Sequence, residues 1–315
     1  MKPTPPKTEL SPARYAAIDV GTNSTKMLVA ELGANPVAVF TLSAVTRLGE
    51  GMTPNTLFLR EVPIRRTLDA LAEMADAARE HGATATVAVG TAALRDAENR
   101  DDFLRRALEK TGVTVEVIPG EEEARLSYLA VRRDPLWRNE TTLRVIDIGG
   151  GSTEIIQGEP DSEHIASRVS VNLGAVKLTE ACLRSDPVSV TQLSAANAAA
   201  QEQFAQVVVS SGADALLAGV GGTLTNLAAM QLGRIAEPDE LNGVRLSSEA
   251  LSILCNRLAD ATIEERKKFP GLDPRRADII LAGAILLSQA LARLGASEIA
   301  VSTRGLRWGV LFDRF

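Results

Sequence analysis

Apolar and polar positions along the first half of the chain switch repeatedly between the periodicity of strands and that of helices. An apolar run over residues 15–20 breaks at a polar, glycine-led turn and resumes over 27–32, which predicts a hairpin. Residues 62–81 repeat apolar positions every three or four residues, which predicts an amphipathic helix ending at Gly82. The same criteria predict strands at 37–45, 84–89 and 113–118 and helices at 101–110 and 120–131. Strands alternating with helices indicate an α/β fold.

The second half of the chain restarts the same pattern. The segment 17–25 aligns with 145–153, with identical residues at the Ile, Asp, first Gly, Ser and Thr positions. The predicted strands are 143–148, 153–157, 165–171, 215–220 and 298–301, and the helices lie near 190–210, after Gly222, and at 247–258, 275–294 and 306–315. Repetition on the scale of a domain predicts two similar halves that face each other across a cleft.

The length of 315 residues exceeds that of one typical domain and agrees with this division. We predict a disordered leader over residues 1–13, because this segment is rich in proline and polar residues. The first domain is expected to span 14–130 and the second 131–303. The last helix, 304–315, is expected to pack back on the first domain.

Composition narrows the classes of function. The net charge of −6 argues against binding to a nucleic-acid duplex. Aromatic residues make up only 3% of the chain, which argues against a row of aromatic side chains that stack on the bases of a single strand. No apolar stretch reaches the ~18 residues of a membrane-spanning helix, and the polar amino terminus is not a secretory signal. Two cysteines and two histidines exclude a cysteine-rich zinc site and nearly exclude a histidine-centred triad. Catalysis, if present, must therefore rely on carboxylates.

Two aspartates occupy equivalent positions in the repeat. Asp19 and Asp147 each lie at the end of an apolar strand, directly before a glycine turn. Such a turn aims successive amides at one anion, and a Ser or Thr hydroxyl adds a further donor. An aspartate beside a phosphate needs a metal ion or a water between them. We therefore predict that both hold metal or water on opposite walls of a cleft; the alternative is that each caps its own turn.

Three further segments supply candidate groups for a phosphate site. The glycine cluster 219–223 follows a strand and opens a helix, a geometry that favours anions. Thr91 and Arg95 are expected to project from a sheet edge, where Arg95 could grip a phosphate or pair with a nearby acid. Glu121, Glu122 and Glu123 begin a helix; the helix dipole alone could explain them, or one of them could be catalytic.

Together these motifs resemble the exopolyphosphatase/guanosine pentaphosphate phosphohydrolase family, within the actin-like, sugar-kinase and Hsp70 ATPase superfamily. The resemblance runs in order over almost the whole chain. It implies two duplicated actin-like (RNase H-like) domains, each a mixed sheet flanked by helices, with the active site in the interdomain cleft. The matching segments are AAIDVGTNS (16–24), RLGEGM (47–52), VGTAALRDAEN (89–99), IPGEEEARLSY (118–128), VIDIGGGSTE (145–154), GVGGT (219–223) and STRGLRWGVL (302–311).

The resemblance also implies roles for individual residues. Glu123 matches the family's general base. Asp147 and Glu154 match the acids around the metal ion and the attacking water. The expected metal site consists of Asp19, Asp147 and Glu154. Lys26 departs from the histidine of many relatives, and whether it contacts phosphate or faces solvent stays open. The positions that match phosphate contacts are Asn23, Ser24, Arg95, Gly149, Gly150, Gly151, Ser152, Gly222 and Thr223.

The expected activity is that of a cytoplasmic, homodimeric exopolyphosphatase that releases orthophosphate from inorganic polyphosphate with Mg²⁺, with Mn²⁺ or K⁺ as further candidate ions. The alternative substrate is the alarmone guanosine pentaphosphate (pppGpp). Two other readings are a small-molecule kinase of the same superfamily, because DVGTNSTK resembles a kinase phosphate turn, and a non-catalytic sensor that keeps the fold. Neither a nucleic-acid duplex nor a membrane is an expected partner.

Overall fold

The structure of the protein is a computed structural model that describes residues 13–33, 35–53, 55–208 and 215–315. The predicted leader, except for its last residue, and the end of the helix predicted over 190–210 lie outside the described residues.

The first half of the chain forms a five-stranded mixed sheet. Its strands are β1 (Arg14–Val20), β2 (Thr25–Glu31), β3 (Val37–Ala44), β4 (Ala83–Gly90) and β5 (Val115–Val117). They lie in the order β3-β2-β1-β4-β5, with β1 antiparallel to β2 and parallel to β4. The central position of β1 explains its apolar run, because both faces of this strand are covered.

The second half forms a six-stranded mixed sheet. Its strands are β6 (Leu143–Ile148), β7 (Thr153–Gly158), β8 (Ile165–Val171), β9 (Leu216–Val220), β10 (Arg245–Ser247) and β11 (Glu298–Val301). The order is β10-β11-β9-β6-β7-β8. Five of these strands, β8-β7-β6-β9-β11, repeat the order and directions of the first sheet. The predicted duplication is therefore confirmed, and β6 is the counterpart of β1.

Helices flank both sheets. None of the described helices is both long enough and apolar enough to cross a membrane. The helices are α1 (Glu61–Glu80), α2 (Ala92–Asp96), α3 (Arg100–Thr111), α4 (Gly120–Arg132), α5 (Ala175–Cys182), α6 (Val190–Ala205), α7 (Gly222–Leu232), α8 (Pro238–Leu241), α9 (Ser248–Asp260), α10 (Ile263–Arg266), α11 (Ile280–Leu294) and α12 (Leu306–Arg314).

Helix α4 packs against both halves of the molecule. Its residues Leu126 and Ala130 join β1, β2 and α12 in one apolar cluster. Ala124 and Tyr128, on another side of the helix, pack against β6, β7 and β9. Helix α12, at the end of the chain, lies along α4 and β1. The predicted boundary at residue 130 thus falls within a helix that both sheets share.

Two local predictions were wrong. Arg95 does not project from a sheet edge but lies in α2, a helix of five residues that is too short to produce a periodic signal. The helix predicted over 275–294 is interrupted: Pro274–Arg276 forms a 3₁₀ helix and α11 begins at Ile280. The Asp273 side chain accepts a hydrogen bond from the Arg275 N–H, which stabilises the short turn in place of a continuous helix.

Candidate functional site

Two glycine turns of the same construction face each other between the sheets. In the turn that joins β1 to β2, the Gly21 N–H donates to the Ser24 carbonyl at 3.1 Å. In the turn that joins β6 to β7, the Gly149 N–H donates to the Ser152 carbonyl at 2.9 Å. The turns are in contact, since a Cβ built on Gly151 would lie 3.1 Å from Thr22 Oγ1. The repeated sequence therefore forms both walls of one narrow cleft.

Helix α5 holds the second turn in place from behind. The N–H groups of Ala175 and Val176 donate to the carbonyls of Gly149 and Gly150, each at 2.9 Å. Because these helix amides are occupied by the turn, they are not available to a ligand. They fix the turn so that its remaining N–H groups line the cleft.

The two predicted aspartates lie on opposite walls of this cleft, together with most of the predicted phosphate contacts. Asp19 and Asp147 are the next-to-last residues of β1 and β6, and both line the cleft, whose volume is about 180 Å³. The predicted phosphate-binding residues that line it are Asn23, Ser24, Gly149, Gly150, Gly151, Ser152, Gly222 and Thr223.

Only one of the three consecutive glutamates reaches the cleft. Glu123 lines it, whereas Glu121 forms an ion pair with Arg168 and Glu122 one with Arg125. All three lie in the first turn of α4, so their different directions follow from the 100° rotation per residue of a helix. The sequence leaves open which of the three glutamates enters the cleft, and the direction of the side chains identifies Glu123.

Two predicted site residues lie beside the cleft, outside its lining: Glu154 is buried, whereas the Arg95 side chain is 23% exposed. Arg95 donates from Nη1 to Glu123 Oε2 at 2.8 Å, so it pairs with the expected base. Glu154 is buried in β7, beside the cleft but not lining it, and accepts a hydrogen bond from Ser170 Oγ at 3.0 Å. Both lie close enough to affect the cleft electrostatically without forming its surface.

Strand register places a charged residue opposite each aspartate. Lys26 pairs with Asp19 across β1 and β2, and Glu154 pairs with Asp147 across β6 and β7. Directly opposed residues in a sheet project to the same face. The sequence left open whether Lys26 contacts phosphate or faces solvent. In the structure, Lys26 lines the cleft. The equivalent position of the repeat is thus basic in one half and acidic in the other.

Two arginines complete a basic side of the cleft with Lys26. Arg276, from the 3₁₀ helix, and Arg307, from the first turn of α12, both line it. Arg276 lies directly over the third glycine turn: a Cβ on Gly222 would be 2.2 Å from its Nη2. A side chain at position 222 would displace the guanidinium, so glycine there allows Arg276 to occupy this position. Arg307 donates to the Met27 carbonyl at 2.8 Å, which fixes its direction.

Burial raises the pKa values of the acidic groups. It raises the pKa of Asp19 to about 6, although Lys26 and Arg307 act in the opposite direction. It raises the pKa of Glu123 to about 7, against the hydrogen bond from Arg95. The pKa of Asp147 is also raised by burial, and that of Glu154 is raised further by the neighbouring Glu123. Burial therefore favours the protonated form of these acids more than the nearby cations favour the charged form.

The basic groups show the opposite response. Burial lowers the pKa of Lys26 to about 8, and the nearby Arg276 and Arg307 lower it further. Burial also lowers the pKa values of both arginines. A bound polyanion would relieve this repulsion between like charges, whereas a neutral ligand would not.

The acidic side suits a divalent metal ion of limited protein coordination. Asp19 and Asp147 offer hard oxygen ligands, and burial raises the pKa of both, which a bound cation would counteract. In the described part of the chain, no three Asp, Glu, His or Cys side chains form a cluster that could hold an ion. This fits Mg²⁺, which is commonly bound by one or two carboxylates together with waters and substrate phosphate oxygens.

Sequence reasoning missed Arg276 and Arg307 as site residues. Arg307 lies in the quoted segment 302–311, but nothing in its spacing marks it as a cleft residue. Arg276 follows Arg275, which instead donates to the Ser43 carbonyl at 3.2 Å. Only the path of the chain distinguishes these two neighbours.

Comparison with known proteins agrees with this architecture. Residues 15–315 match the Ppx/GppA phosphatase family. Exopolyphosphatase 2 of Mycobacterium tuberculosis is 32% identical, over 94% of this chain and 97% of the relative. The crystal structure of an exopolyphosphatase-like protein aligns with a TM-score of 0.89 at 30% identity, covering 96% of this chain and 97% of that one. The Aquifex aeolicus family member gives 0.79 at 30% identity, with the same coverage.

The family match spans nearly the entire chain, and the neighbouring crystal structures share its two mixed sheets flanked by helices. The predicted fold of two actin-like domains is therefore confirmed. The chain belongs to the Ppx/GppA phosphatase family.

Proposed function

We propose that this protein is an exopolyphosphatase, which hydrolyses the terminal phosphoanhydride bond of inorganic polyphosphate and releases orthophosphate. The observation that carries the proposal is the convergence of Asp19, Glu123 and Asp147 on one cleft that is also lined by Lys26, two arginines and three glycine turns. The family and the relatives named exopolyphosphatases agree with it.

The basic side of the cleft is assigned to substrate binding. Lys26, Arg276 and Arg307 would hold the phosphate oxygens, and the N–H groups of the glycine turns would align the terminal phosphoryl group. Phosphoryl transfer demands chiefly such alignment and neutralisation of charge on the equatorial oxygens. The oxygen of a water attacks phosphorus as the anhydride bond breaks, which shortens the chain by one phosphate.

Glu123 is assigned as the general base that orients this water and accepts its proton. Its raised pKa, about 7, suits a base that works near neutral pH. Arg95 holds one carboxylate oxygen, Oε2, and leaves Oε1 for the water. We therefore assign Arg95 as a residue that positions Glu123 rather than as a direct phosphate contact.

Asp19 and Asp147 would hold Mg²⁺, with Glu154 acting on them through charge from behind the wall. When bound, the ion supplies neutralisation of phosphate charge. The ion is needed because the carboxylates and the phosphate chain are both negative and would otherwise repel each other. Mn²⁺ and K⁺ stay candidates for additional or replacement ions.

The cleft has room for the end of a phosphate chain. Its volume is about 180 Å³, and a cavity of about 650 Å³ that shares Thr22 and Ala92 with it adjoins the cleft, so size alone does not separate the two substrates. A chain end fits such a space with the rest of the polymer outside. Hydrolysis of pppGpp stays the alternative, and a cytoplasmic homodimer stays a prediction.

The test is orthophosphate release from long-chain polyphosphate, with Mg²⁺ and with EDTA, compared with release from pppGpp at equal concentration. We expect release from polyphosphate that EDTA abolishes. Glu123→Gln should lower kcat at least tenfold, because a general base contributes ~10²–10⁴-fold. Glu122→Gln is the matched control, since Glu122 pairs with Arg125 outside the cleft. EDTA-insensitive release, or full activity of Glu123→Gln, would contradict the scheme.

A further inference from the structure

A serine of helix α4 contacts one of the two cleft aspartates directly. Ser127 Oγ donates to Asp147 Oδ2 at 3.0 Å, and Ser127 is 1% exposed. The two residues belong to different halves of the molecule, since α4 follows β5 of the first sheet and Asp147 lies in β6 of the second. The segment that contains Ser127 matches the family, but its hydroxyl has no role in the function proposed above.

The direction of this hydrogen bond is unusual for a buried hydroxyl within a helix. Such a group commonly donates to the carbonyl four residues earlier. Thr67, Thr111 and Thr179 do this in α1, α3 and α5, at 2.7–2.8 Å. Ser127 instead donates across the interface between α4 and the second sheet. Its hydroxyl therefore serves Asp147 rather than its own helix.

The hydrogen bond determines which oxygen of Asp147 faces the cleft. Ser127 occupies Oδ2. The other oxygen, Oδ1, lies beside the third glycine turn, 2.9 Å from the position that a Cβ on Gly221 would take. Gly221 lines the cleft, so Oδ1 is the oxygen available to an ion or a water there.

Helix α4 links this contact to the expected base. Glu123 and Ser127 are separated by one helical turn and share a face of α4. The helix is held on other sides by Leu126 and Ala130 against the first sheet and by Tyr128 against the second. One rigid helix thus presents a carboxylate to the cleft and, one turn later, a donor to the opposing aspartate.

We propose that Ser127 is a positioning residue: its hydroxyl fixes the Asp147 carboxylate so that Oδ1 is directed at the metal and water position beside Glu123. This inference rests on the proposed function, since it assigns Asp147 a metal ion. Loss of a hydrogen bond that orients a metal ligand typically costs 10–100-fold in metal affinity or activity. We expect Ser127→Ala to weaken Mn²⁺ binding about tenfold and to lower kcat about tenfold, with KM for polyphosphate changed less than threefold.

The experiment compares the wild type with Ser127→Ala and Tyr128→Phe. Tyr128 is the matched control, because its hydroxyl also ties α4 to the second half, donating to the Ser162 carbonyl at 2.9 Å, but touches no acid of the cleft. Mn²⁺ binding is measured by electron paramagnetic resonance on the full chain without substrate. Steady-state kinetics with polyphosphate give kcat and KM. Thermal unfolding is measured for all three proteins.

The inference holds if Ser127→Ala loses Mn²⁺ affinity and kcat while Tyr128→Phe keeps both at a similar melting temperature. It is overturned if Ser127→Ala binds Mn²⁺ as the wild type does, if the wild type binds no Mn²⁺, or if both variants lose activity equally. If the wild type binds Mn²⁺ but hydrolyses no polyphosphate, the proposed function fails, and the Mn²⁺ titration alone still decides the role of Ser127.

Discussion

At the scale of single residues, the difference between Lys26 and Glu154 gives the cleft its polarity. These residues stand opposite Asp19 and Asp147 in the two copies of the repeated hairpin. Because one is basic and the other acidic, a cleft built from two similar halves is not symmetric in charge.

The raised pKa values of the acids predict how stability depends on pH without metal. Glu123 has a pKa of about 7 in the folded protein against 4.5 in the unfolded chain, and Asp19 about 6 against 3.8. The folded state thus binds protons more tightly, so its stability falls as pH rises from about 5 to 8. Lys26 acts in the opposite direction, but only above pH 8. In EDTA, we expect the melting temperature to fall by at least about 2 °C over this window.

Differential scanning calorimetry at pH 5.5 and 8 in EDTA measures this fall. Glu123→Gln is the control, because it removes a major titrating group and should reduce the difference. A melting temperature that rises from pH 5.5 to 8 in the wild type would show that the cleft acids are not held in the protonated form by burial.

At the scale of elements, the close packing of α12 on α4 sets the position of the helix that carries Glu123. Gly309 of α12 approaches the α4 backbone so closely that a Cβ there would lie 1.9 Å from the Leu126 carbonyl oxygen. Another residue of α12, Arg307, lines the cleft. The last helix therefore both supports α4 and contributes a cation.

Gly309→Ala tests this packing. Alanine favours a helix over glycine by ~1 kcal/mol, but a backbone clash at this distance must move one helix, and overpacking commonly costs ~1–3 kcal/mol. We expect a net loss of stability in urea unfolding, and a lower kcat because α4 carries Glu123. Gly33→Ala is the control, since a Cβ at Gly33 meets no atom within 4 Å. Equal behaviour of both variants would contradict the tight contact.

At the scale of the whole molecule, contacts across the cleft hold its two halves together. Arg47 of the first half pairs with Asp278 of the second, at 2.8 Å between Nη1 and Oδ2. Arg275, next to the cleft residue Arg276, donates to the Ser43 carbonyl. The segment that supplies Arg276 to the cleft is therefore also a point where the halves meet. Contact between the halves and placement of this cation are therefore structurally linked.

Asp278→Asn tests this link. The pair is partly exposed, so its contribution to stability is small, ~0–1 kcal/mol. Asp278 lies two residues from Arg276, however, and its pair with Arg47 holds this segment against the first half. We expect KM for polyphosphate to rise about two- to tenfold while the melting temperature stays within about 2 °C. Steady-state kinetics and calorimetry measure both. Asp76→Asn is the control, because it breaks an exposed pair with Arg79 inside α1. A lower melting temperature with unchanged KM would assign the pair a purely structural role.

The sequence by itself determined the duplicated α/β architecture, the two aspartates at the strand ends and the glycine turns. These depend on local patterns: apolar runs for central strands, and glycine and hydroxyl residues where a backbone turns around an anion. The segment 17–25 and its copy at 145–153 carried this signal twice, and both copies form the same hydrogen-bonded turn.

Only the tertiary structure decided which neighbouring side chains face the cleft. It selected Glu123 from three glutamates and Arg276 over Arg275, directed Lys26 inward, and placed Arg95 and Glu154 beside the cleft rather than in its lining. The physical reason is that a side chain's direction depends on the rotation and packing of its element. The residues that pack α4 between two sheets come from β1, β6 and α12, far apart in the chain, so no short pattern records their meeting.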